Sequence, residues 1–93
     1  MPALSQQDAL SLLSTVPSWQ IEAGELVRTF EFDDFRASLR FVNRIGDLAE
    51  EAGHHPGIDI RYNRVRLALV THDEGGLTSK DFELAVRADR LSY

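Results

Sequence analysis

The chain contains three histidines, and two of them are adjacent, in the segment His54-His55-Pro56. Glu50 lies one helical turn before the pair, and the third histidine, His72, follows further along the chain. Histidine is the side chain whose unperturbed titration lies close to neutral pH, so it can give and take protons there. The histidines therefore predict a proton-transfer site built from one loop and one strand end.

Size and composition describe an ordinary small globular protein. The chain has 93 residues, enough for one domain, with a hydrophobic fraction of 43% and a charged fraction of 27%. It has no cysteine, which excludes disulfides, thiol nucleophiles and cysteine-based metal sites. A net charge of −5 argues against nucleic acid as a direct ligand.

The sequence also predicts a cytoplasmic protein that makes no contact with membranes. No apolar run approaches the length of a membrane span. The first residues lack the basic segment and the apolar core of a signal peptide. The absence of cysteine is consistent with a reducing compartment.

The first part of the chain predicts a helix and a hairpin. Ser5 is suited to begin the helix, because its hydroxyl can accept from a free backbone N–H, and Pro17 marks its end. Two strand-like runs follow over 19–22 and 26–32. The short gap between them contains Gly24, which is typical of a hairpin turn.

Helical spacing of apolar residues predicts a long central helix. Asp33 or Asp34 is suited to begin it, and Gly53 to end it, because glycine takes the left-handed cap conformation without penalty. The apolar residues at helical spacing are Phe35, Leu39, Val42, Ile45, Leu48, Ala49 and Ala52.

A second hairpin and a last helix complete the pattern. Alternating apolar residues predict strands over 58–62 and 65–69, with Asn63 at the turn. Thr78, followed three residues later by Asp81, resembles a capping box at the start of the last helix.

The resulting order, α-β-β-α-β-β-α, predicts a single α+β domain. Its expected architecture is a four-stranded antiparallel sheet with the helices packed on one face. Trp19 and the phenylalanines are predicted to form the core.

The residues that can do chemistry fall at the ends of these elements. Glu50 lies in the last turn of the central helix, and His54 and His55 follow its end directly. His72 lies at the end of the last strand, and Asp81 opens the last helix. Functional groups are commonly displayed at such positions by a rigid scaffold.

Four segments and five upstream residues together form one specific pattern, although any single part would be weak. The segments are Glu50-x-x-x-His54-His55-Pro56, Asp59-Ile60-Arg61-Tyr62-Asn63, Thr71-His72 and Gly75-Gly76-Leu77-Thr78-x-Lys80-Asp81; the upstream residues are Trp19, Arg28, Phe30, Phe32 and Phe35. This pattern, which covers most of the chain, resembles the pterin-4a-carbinolamine dehydratase family.

The resemblance implies a hydro-lyase that converts 4a-hydroxytetrahydrobiopterin to quinonoid dihydropterin and water, with no metal and no organic cofactor. An acid must help the hydroxide to leave C4a, and a base must take the proton from N5. The resemblance implies that His54, His55 and His72 are the catalytic groups. It places Glu50, Pro56 and Asp81 at the substrate, so the list of site residues is His54, His55, His72, Glu50, Pro56 and Asp81.

The resemblance also implies a homodimer formed by sheet edges, or a homotetramer formed through the central helices. A small core and exposed edge strands favour such an assembly.

Two positions vary within the family. Lys80 stands where some relatives have arginine, and Ile58 stands where some have an aromatic residue.

Other interpretations of these residues remain open. Three histidines and a carboxylate could bind zinc, but the chain has no His-x-x-x-His spacing, which makes a metal site the weaker hypothesis. Asp81 is equally suited to stabilise a helix start, and Glu50 to be a solvated helix residue. Two arginine groups are expected on solvated faces: Arg36, Arg40 and Arg44, and Arg61, Arg64 and Arg66.

Two other functions compete with catalysis. One is a non-catalytic dimerisation or regulatory partner, because animal relatives of the family also act as dimerisation cofactors for a homeodomain transcription factor. The other is an accessory role in a different pterin pathway, such as molybdopterin metabolism. A pure scaffold has no need of Glu50, His54, His55 and His72, so the enzyme is the favoured hypothesis.

Overall fold

The computed structural model describes residues 2–91. The elements are α1 (Gln6–Leu12), β1 (Gln20–Glu22), β2 (Glu25–Glu31), α2 (Phe35–Ala52), β3 (Gly57–Arg61), β4 (Arg64–Leu69) and α3 (Ser79–Asp89). Single 3-10 turns cover Leu13–Thr15 and His72–Glu74. The predicted order of helices and strands is confirmed. No helix among the described residues has the length and apolar character needed to cross a membrane.

The four strands form one antiparallel sheet in the order β1-β2-β4-β3. The strand β3 does not pair with β2 but adds to the far side of β4. Across the centre of the sheet Phe30 pairs with Val65, and Val65 also pairs with Ile60 of β3. The strands β1 and β3 are therefore the two edges.

Alternation along the strands separates a core face from a solvent face. The core face of β2 and β4 is buried and contacts the helices; its residues are Leu26, Phe30, Val65, Leu67 and Leu69. The opposite face carries three exposed ion pairs: Arg61 with Asp59, Arg64 with Glu31, and Arg66 with Glu22. This second arginine group is on the solvated side of the sheet, as expected, and such exposed pairs contribute little stability.

Side-chain caps begin the helices at the positions that the sequence indicated. Ser5 accepts from the backbone N–H of Asp8 at 3.1 Å, and Asp34 accepts from that of Ala37 at 2.8 Å. Thr78 begins α3 with a complete capping box. Each cap satisfies a backbone donor that has no partner within the helix.

The central helix presents a different face to the core from the one that its first apolar residues suggest. Its buried stripe is Ser38, Phe41, Ile45 and Ala49, with a spacing of three to four residues. Phe35 is 46% exposed and Leu39 is 39% exposed, so the prediction that every phenylalanine belongs to the core is wrong for Phe35. At about 3.6 residues per turn, both lie to one side of the stripe centred on Phe41 and Ile45.

The turn between β3 and β4 also differs slightly from the prediction. Tyr62 belongs to the turn rather than to the strand, because its φ of 51° lies in the left-handed region. Asn63 fixes the turn to the neighbouring strand, since its amide donates to the carbonyl of Phe32 at 3.0 Å and Phe32 N donates back to the carbonyl of Asn63.

A partly buried polar contact anchors the end of α3 to the sheet. Trp19 is 2% exposed, and its indole N–H donates to Oδ1 of Asp89 at 2.9 Å. Arg28 donates to the same oxygen at 2.5 Å, and its guanidinium lies 4.1 Å from the ring centroid of Phe30. The helix is thereby held against β2 at its C-terminal end.

The structure predicts opposite effects for alanine at two glycines of the central helix. Gly53 ends α2 with a φ of 63°, so Gly53→Ala should lower the free energy of unfolding by about 1–2 kcal/mol. Gly46 lies inside the helix, and an added Cβ would meet nothing within 4 Å. Gly46→Ala should therefore raise the free energy of unfolding by roughly 0.5–1 kcal/mol. Urea denaturation of both variants measures this, and changes of the same sign would contradict it.

Candidate active site

The C-terminal end of α2 directs the two adjacent histidines into different surroundings. Gly53 turns the chain in the left-handed conformation, and the backbone N–H of His54 donates to the carbonyl of Ala49 at 3.1 Å. This closure gives partners to the carbonyls of Ala49 and Glu50 near the end of the helix. The side chain of His54 is 12% exposed, whereas that of His55 is 62% exposed.

His54 is held by a buried carboxylate. Its Nε2–H donates to Oδ1 of Asp81 at 2.6 Å, and Asp81 has no exposed surface. The other oxygen, Oδ2, accepts from the hydroxyl of Thr71 and from the backbone N–H of Thr78, both at 2.9 Å. Asp81 thus stabilises the start of α3, which is one of the two roles that the sequence left open, and it also holds the ring of His54.

His55 forms a second histidine–carboxylate pair at the surface. Its Nε2–H donates to Oε2 of Glu50, one turn back in α2, at 2.5 Å. The side chain of Glu50 is 78% exposed, so water screens this pair strongly. Pro56, which is half-buried, connects the histidines to β3.

His72 opens the short turn that follows β4. Thr71 and Gly76 exchange two backbone hydrogen bonds, at 3.1 and 3.3 Å, and so close the loop that contains His72. The His72 side chain is exposed, and within residues 2–91 it makes no hydrogen bond or ion pair. Its neighbour Thr71 contacts Asp81, so the backbone beside His72 and the ring of His54 depend on the same carboxylate.

A cavity of about 300 Å³ lies beside His54, between the end of α2 and one side of α3. Its lining residues are Ala52, His54, Lys80, Glu83, Leu84 and Arg87. Arg87 also donates to Glu51 at 2.6 Å, which connects the two helices. The volume is at the lower end of the range for small-ligand sites. Of the six predicted site residues, His54 alone lines this cavity.

Sequence reasoning missed Thr71 as part of the site, although a signal was present. Thr71 continues the alternation of the buried residues Val65, Leu67 and Leu69, and it is itself only 7% exposed. A polar residue at an inward-facing position must find a hydrogen-bond partner. The cavity residues Glu83 and Arg87 gave no such signal, because each resembles an ordinary exposed helix residue.

Among the described residues, no group of three or more histidine, aspartate or glutamate side chains is arranged to hold a metal ion. His54 and His55 each point to a different carboxylate. The absence of a metal requirement stays a prediction, which chelation can test.

The sequence of the chain matches a known family. The family model described as pterin 4 alpha carbinolamine dehydratase matches residues 2–91. The chain belongs to that family, a family of hydro-lyases. The resemblance drawn from the histidine pair and its flanking segments is therefore confirmed.

Curated relatives of the pterin carbinolamine dehydratase family align along nearly the whole chain. A protein of Chloroflexus aurantiacus is 55% identical over 91 residues, covering 98% of each chain. A protein of Acidobacterium capsulatum is 60% identical over 79 residues, covering 85% of this chain and 86% of its own. Both carry the provisional name pterin-4-alpha-carbinolamine dehydratase.

A solved structure from Brucella melitensis, described as a transcriptional coactivator/pterin dehydratase, has the same fold. Its TM-score is 0.89 and its identity 30%, and the match covers 94% of this chain and 95% of that one. The predicted α+β architecture is therefore confirmed both within the chain and by its likeness to a pterin dehydratase structure.

The two carboxylates of the site should differ sharply in their effect on stability. Asp81→Asn replaces a buried acceptor with a group that puts an N–H toward existing donors, so it should lower the free energy of unfolding by about 1.5–3 kcal/mol. Glu50→Gln, at an exposed position, should change it by no more than about 0.5 kcal/mol. Urea denaturation followed by circular dichroism compares them, and equal effects would be inconsistent with the structure.

Proposed function

We propose that the protein catalyses the dehydration of a pterin 4a-carbinolamine, with 4a-hydroxytetrahydrobiopterin as substrate and quinonoid dihydropterin and water as products. The observation that carries the proposal is a family-pattern histidine, His54, held by a buried carboxylate and lining a cavity of about 300 Å³. The cytoplasmic location expected from the sequence belongs to the same proposal.

The reaction needs only proton transfer at two atoms of the pterin. An acid gives a proton to the hydroxyl on C4a, the C–O bond breaks and water leaves. A base takes the proton from N5, and the double bond between N5 and C4a forms. Positioned side chains that titrate near neutrality typically accelerate such transfers about 10²- to 10⁴-fold.

We assign these transfers to His54, His55 and His72. Glu50 orients His55 through its hydrogen bond, and Pro56 sets the path of the chain beside the substrate. Asp81 has no surface available to a ligand, so we assign it the orientation of His54 rather than direct contact with the pterin.

A dehydration assay on freshly generated 4a-hydroxytetrahydropterin tests the proposal. Each of His54→Gln, His55→Ala and His72→Ala should lower kcat by at least about tenfold, because each removes a general acid–base group. His55 and His72 are exposed, so their variants should remain folded. Glutamine at 54 can still donate to Asp81, which preserves the buried contact.

Arg61→Ala is the matched control, since Arg61 lies on the solvent face of the sheet and should leave kcat unchanged. Activity should also survive exhaustive chelation. Wild-type turnover in a folded His55→Ala protein would count against the assigned roles. Loss of activity on chelation with recovery on addition of zinc would replace them with metal catalysis.

A second candidate function is that of a non-catalytic regulatory partner. The observation that favours it is the Brucella melitensis structure, whose description names a transcriptional coactivator beside a pterin dehydratase. The two functions separate in the assay above, because a scaffold without catalytic activity would not accelerate dehydration at all.

We also propose that the protein is a homodimer or a homotetramer. The edge strand β3 carries Ile58, which is 40% exposed, and α2 exposes Phe35 and Leu39. Pairing β3 across a two-fold axis would satisfy its outer backbone groups. The exposed Arg36, Arg40 and Arg44 favour the dimer, because they leave that side of α2 in solvent.

Multi-angle light scattering at micromolar concentration should therefore give the mass of two or four chains. The apolar groups on β3 and α2 provide the surface that such an interface buries. Ile58→Lys should shift the mass towards that of one chain if β3 forms the interface, because lysine blunts an edge strand. A mass of 10.5 kDa for the wild type, that of one chain, would refute the assembly.

A further inference from the structure

Two buried hydroxyls, those of Thr71 and Thr78, are hydrogen-bonded to each other, and that of Thr71 also donates to the carboxylate of Asp81. Thr71 is 7% exposed, Thr78 is 4% exposed, and their hydroxyl oxygens lie 2.8 Å apart. The Thr71 hydroxyl also lies 2.9 Å from Oδ2 of Asp81. Within residues 2–91 no buried side-chain polar atom lacks a hydrogen-bond partner, so each of these hydroxyls and the carboxylate has one.

The direction of each hydrogen bond among Thr78, Thr71 and Asp81 follows from counting the protons that each group can donate. An ionised carboxylate can only accept, so the single hydroxyl proton of Thr71 is donated to Asp81. Thr71 must then accept in its contact with Thr78, which makes the Thr78 hydroxyl the donor. The oxygen of Thr78 is still free to accept from the backbone N–H of Lys80, at 3.3 Å.

The hydrogen bond to Asp81 also determines which nitrogen of His54 carries the proton. Oδ1 of Asp81 accepts from Nε2 at 2.6 Å, so Nε2 is protonated in both the neutral and the charged ring. In the neutral ring Nδ1 then has the free lone pair. Nδ1 is thus the atom of His54 that can take up and release a proton.

We propose that Thr71 is a positioning residue whose hydroxyl fixes the Asp81 carboxylate, and thereby holds His54 in a single tautomer with Nδ1 as its proton-exchanging atom. The catalytic part of this inference rests on the proposed dehydratase function. The assignment of the tautomer does not, since it follows from the hydrogen bonds that an ionised Asp81 carboxylate accepts.

The capping box by itself does not require Thr71. A capping box needs only Thr78 and Asp81, both at the start of α3. Thr71 comes from the end of β4, directly before His72, and its hydroxyl adds a donor from outside the helix. The carboxylate is thereby held from two elements, which restricts its rotation and keeps Oδ1 directed at His54.

Nitrogen-15 NMR of the histidine rings, recorded on the neutral form of each ring, measures the tautomer directly. Wild-type His54 should be in the Nε2–H form alone, with a ring N–H protected from exchange with water. In Thr71→Val, which keeps the shape of the side chain and removes the hydroxyl, that N–H should exchange at least about tenfold faster, as expected for a lost hydrogen bond. Thr71→Ser keeps the hydroxyl and should restore the protection.

Kinetics provide a second readout, with a matched control on the other face of the sheet. Thr71→Val should lower kcat by about tenfold with little change in KM, because orientation of an acid–base group affects the reacting step. Thr71→Ser should recover most of the loss. Thr29→Val, at an exposed threonine of β2, should change neither the exchange rate nor kcat.

An Nδ1–H tautomer in the wild type, or unchanged exchange in Thr71→Val, would overturn the proposal. If Thr71→Val does not fold, Thr71→Ala takes its place; failure of both to fold would assign Thr71 a structural role and also overturn it. If the wild type lacks dehydratase activity, the proposed function fails, but the NMR measurement still decides the role of Thr71.

Discussion

The hydrogen bonds that the buried carboxylate of Asp81 accepts are the interactions on which the position of His54 depends. This carboxylate is fully buried, and an isolated buried charge would be strongly destabilising. Three hydrogen bonds from three different elements offset that cost: one from His54 after α2, one from Thr71 after β4, and one from the backbone at the start of α3. The two long helices and the central strand are consequently fixed relative to each other at this point.

The opposite end of α3 is held in a comparable way. Asp89 accepts from Trp19 and Arg28, so an acidic side chain near each end of the helix connects it to the rest of the fold. Between these anchors, the apolar side of α3 packs in the core through Phe82, Leu84, Ala85 and Ala88. A helix fixed at both ends is a suitable support for a site, because a small displacement of an acid–base group lowers its catalytic efficiency.

The two histidine–carboxylate pairs differ in their dielectric surroundings. His54 and Asp81 are sheltered from solvent, whereas His55 and Glu50 are largely exposed. A hydrogen bond is stronger where water is excluded, so the first pair is held more firmly than the second. One sheltered and one exposed histidine, adjacent in sequence, suit the proposed dehydration, which needs two separate proton transfers.

Much of the fold could be predicted from the sequence because its signals are local. Hydrophobic alternation, helix caps at Ser5 and Thr78, and the glycine at 53 each depend on residues within one or two turns. These local signals predicted the order of the helices and strands and the antiparallel type of the sheet. The face of α2 was less certain, since Phe35 and Leu39 resemble core residues and only the position of the sheet shows that Phe41 and Ile45 are buried instead.

The sequence by itself determined which residue types are available for proton transfer and that they fall at the ends of elements. Only the tertiary structure decided the partners of His54. Asp81 is 27 positions from His54, and Thr71 is 10 positions from Asp81, separations over which no periodicity predicts contact. The pairing of β3 with β4, and the packing of α3 beside the end of α2, bring these residues together. The partner of His54 therefore depends on long-range packing, whereas the pairing of His55 with Glu50, five positions apart, is local.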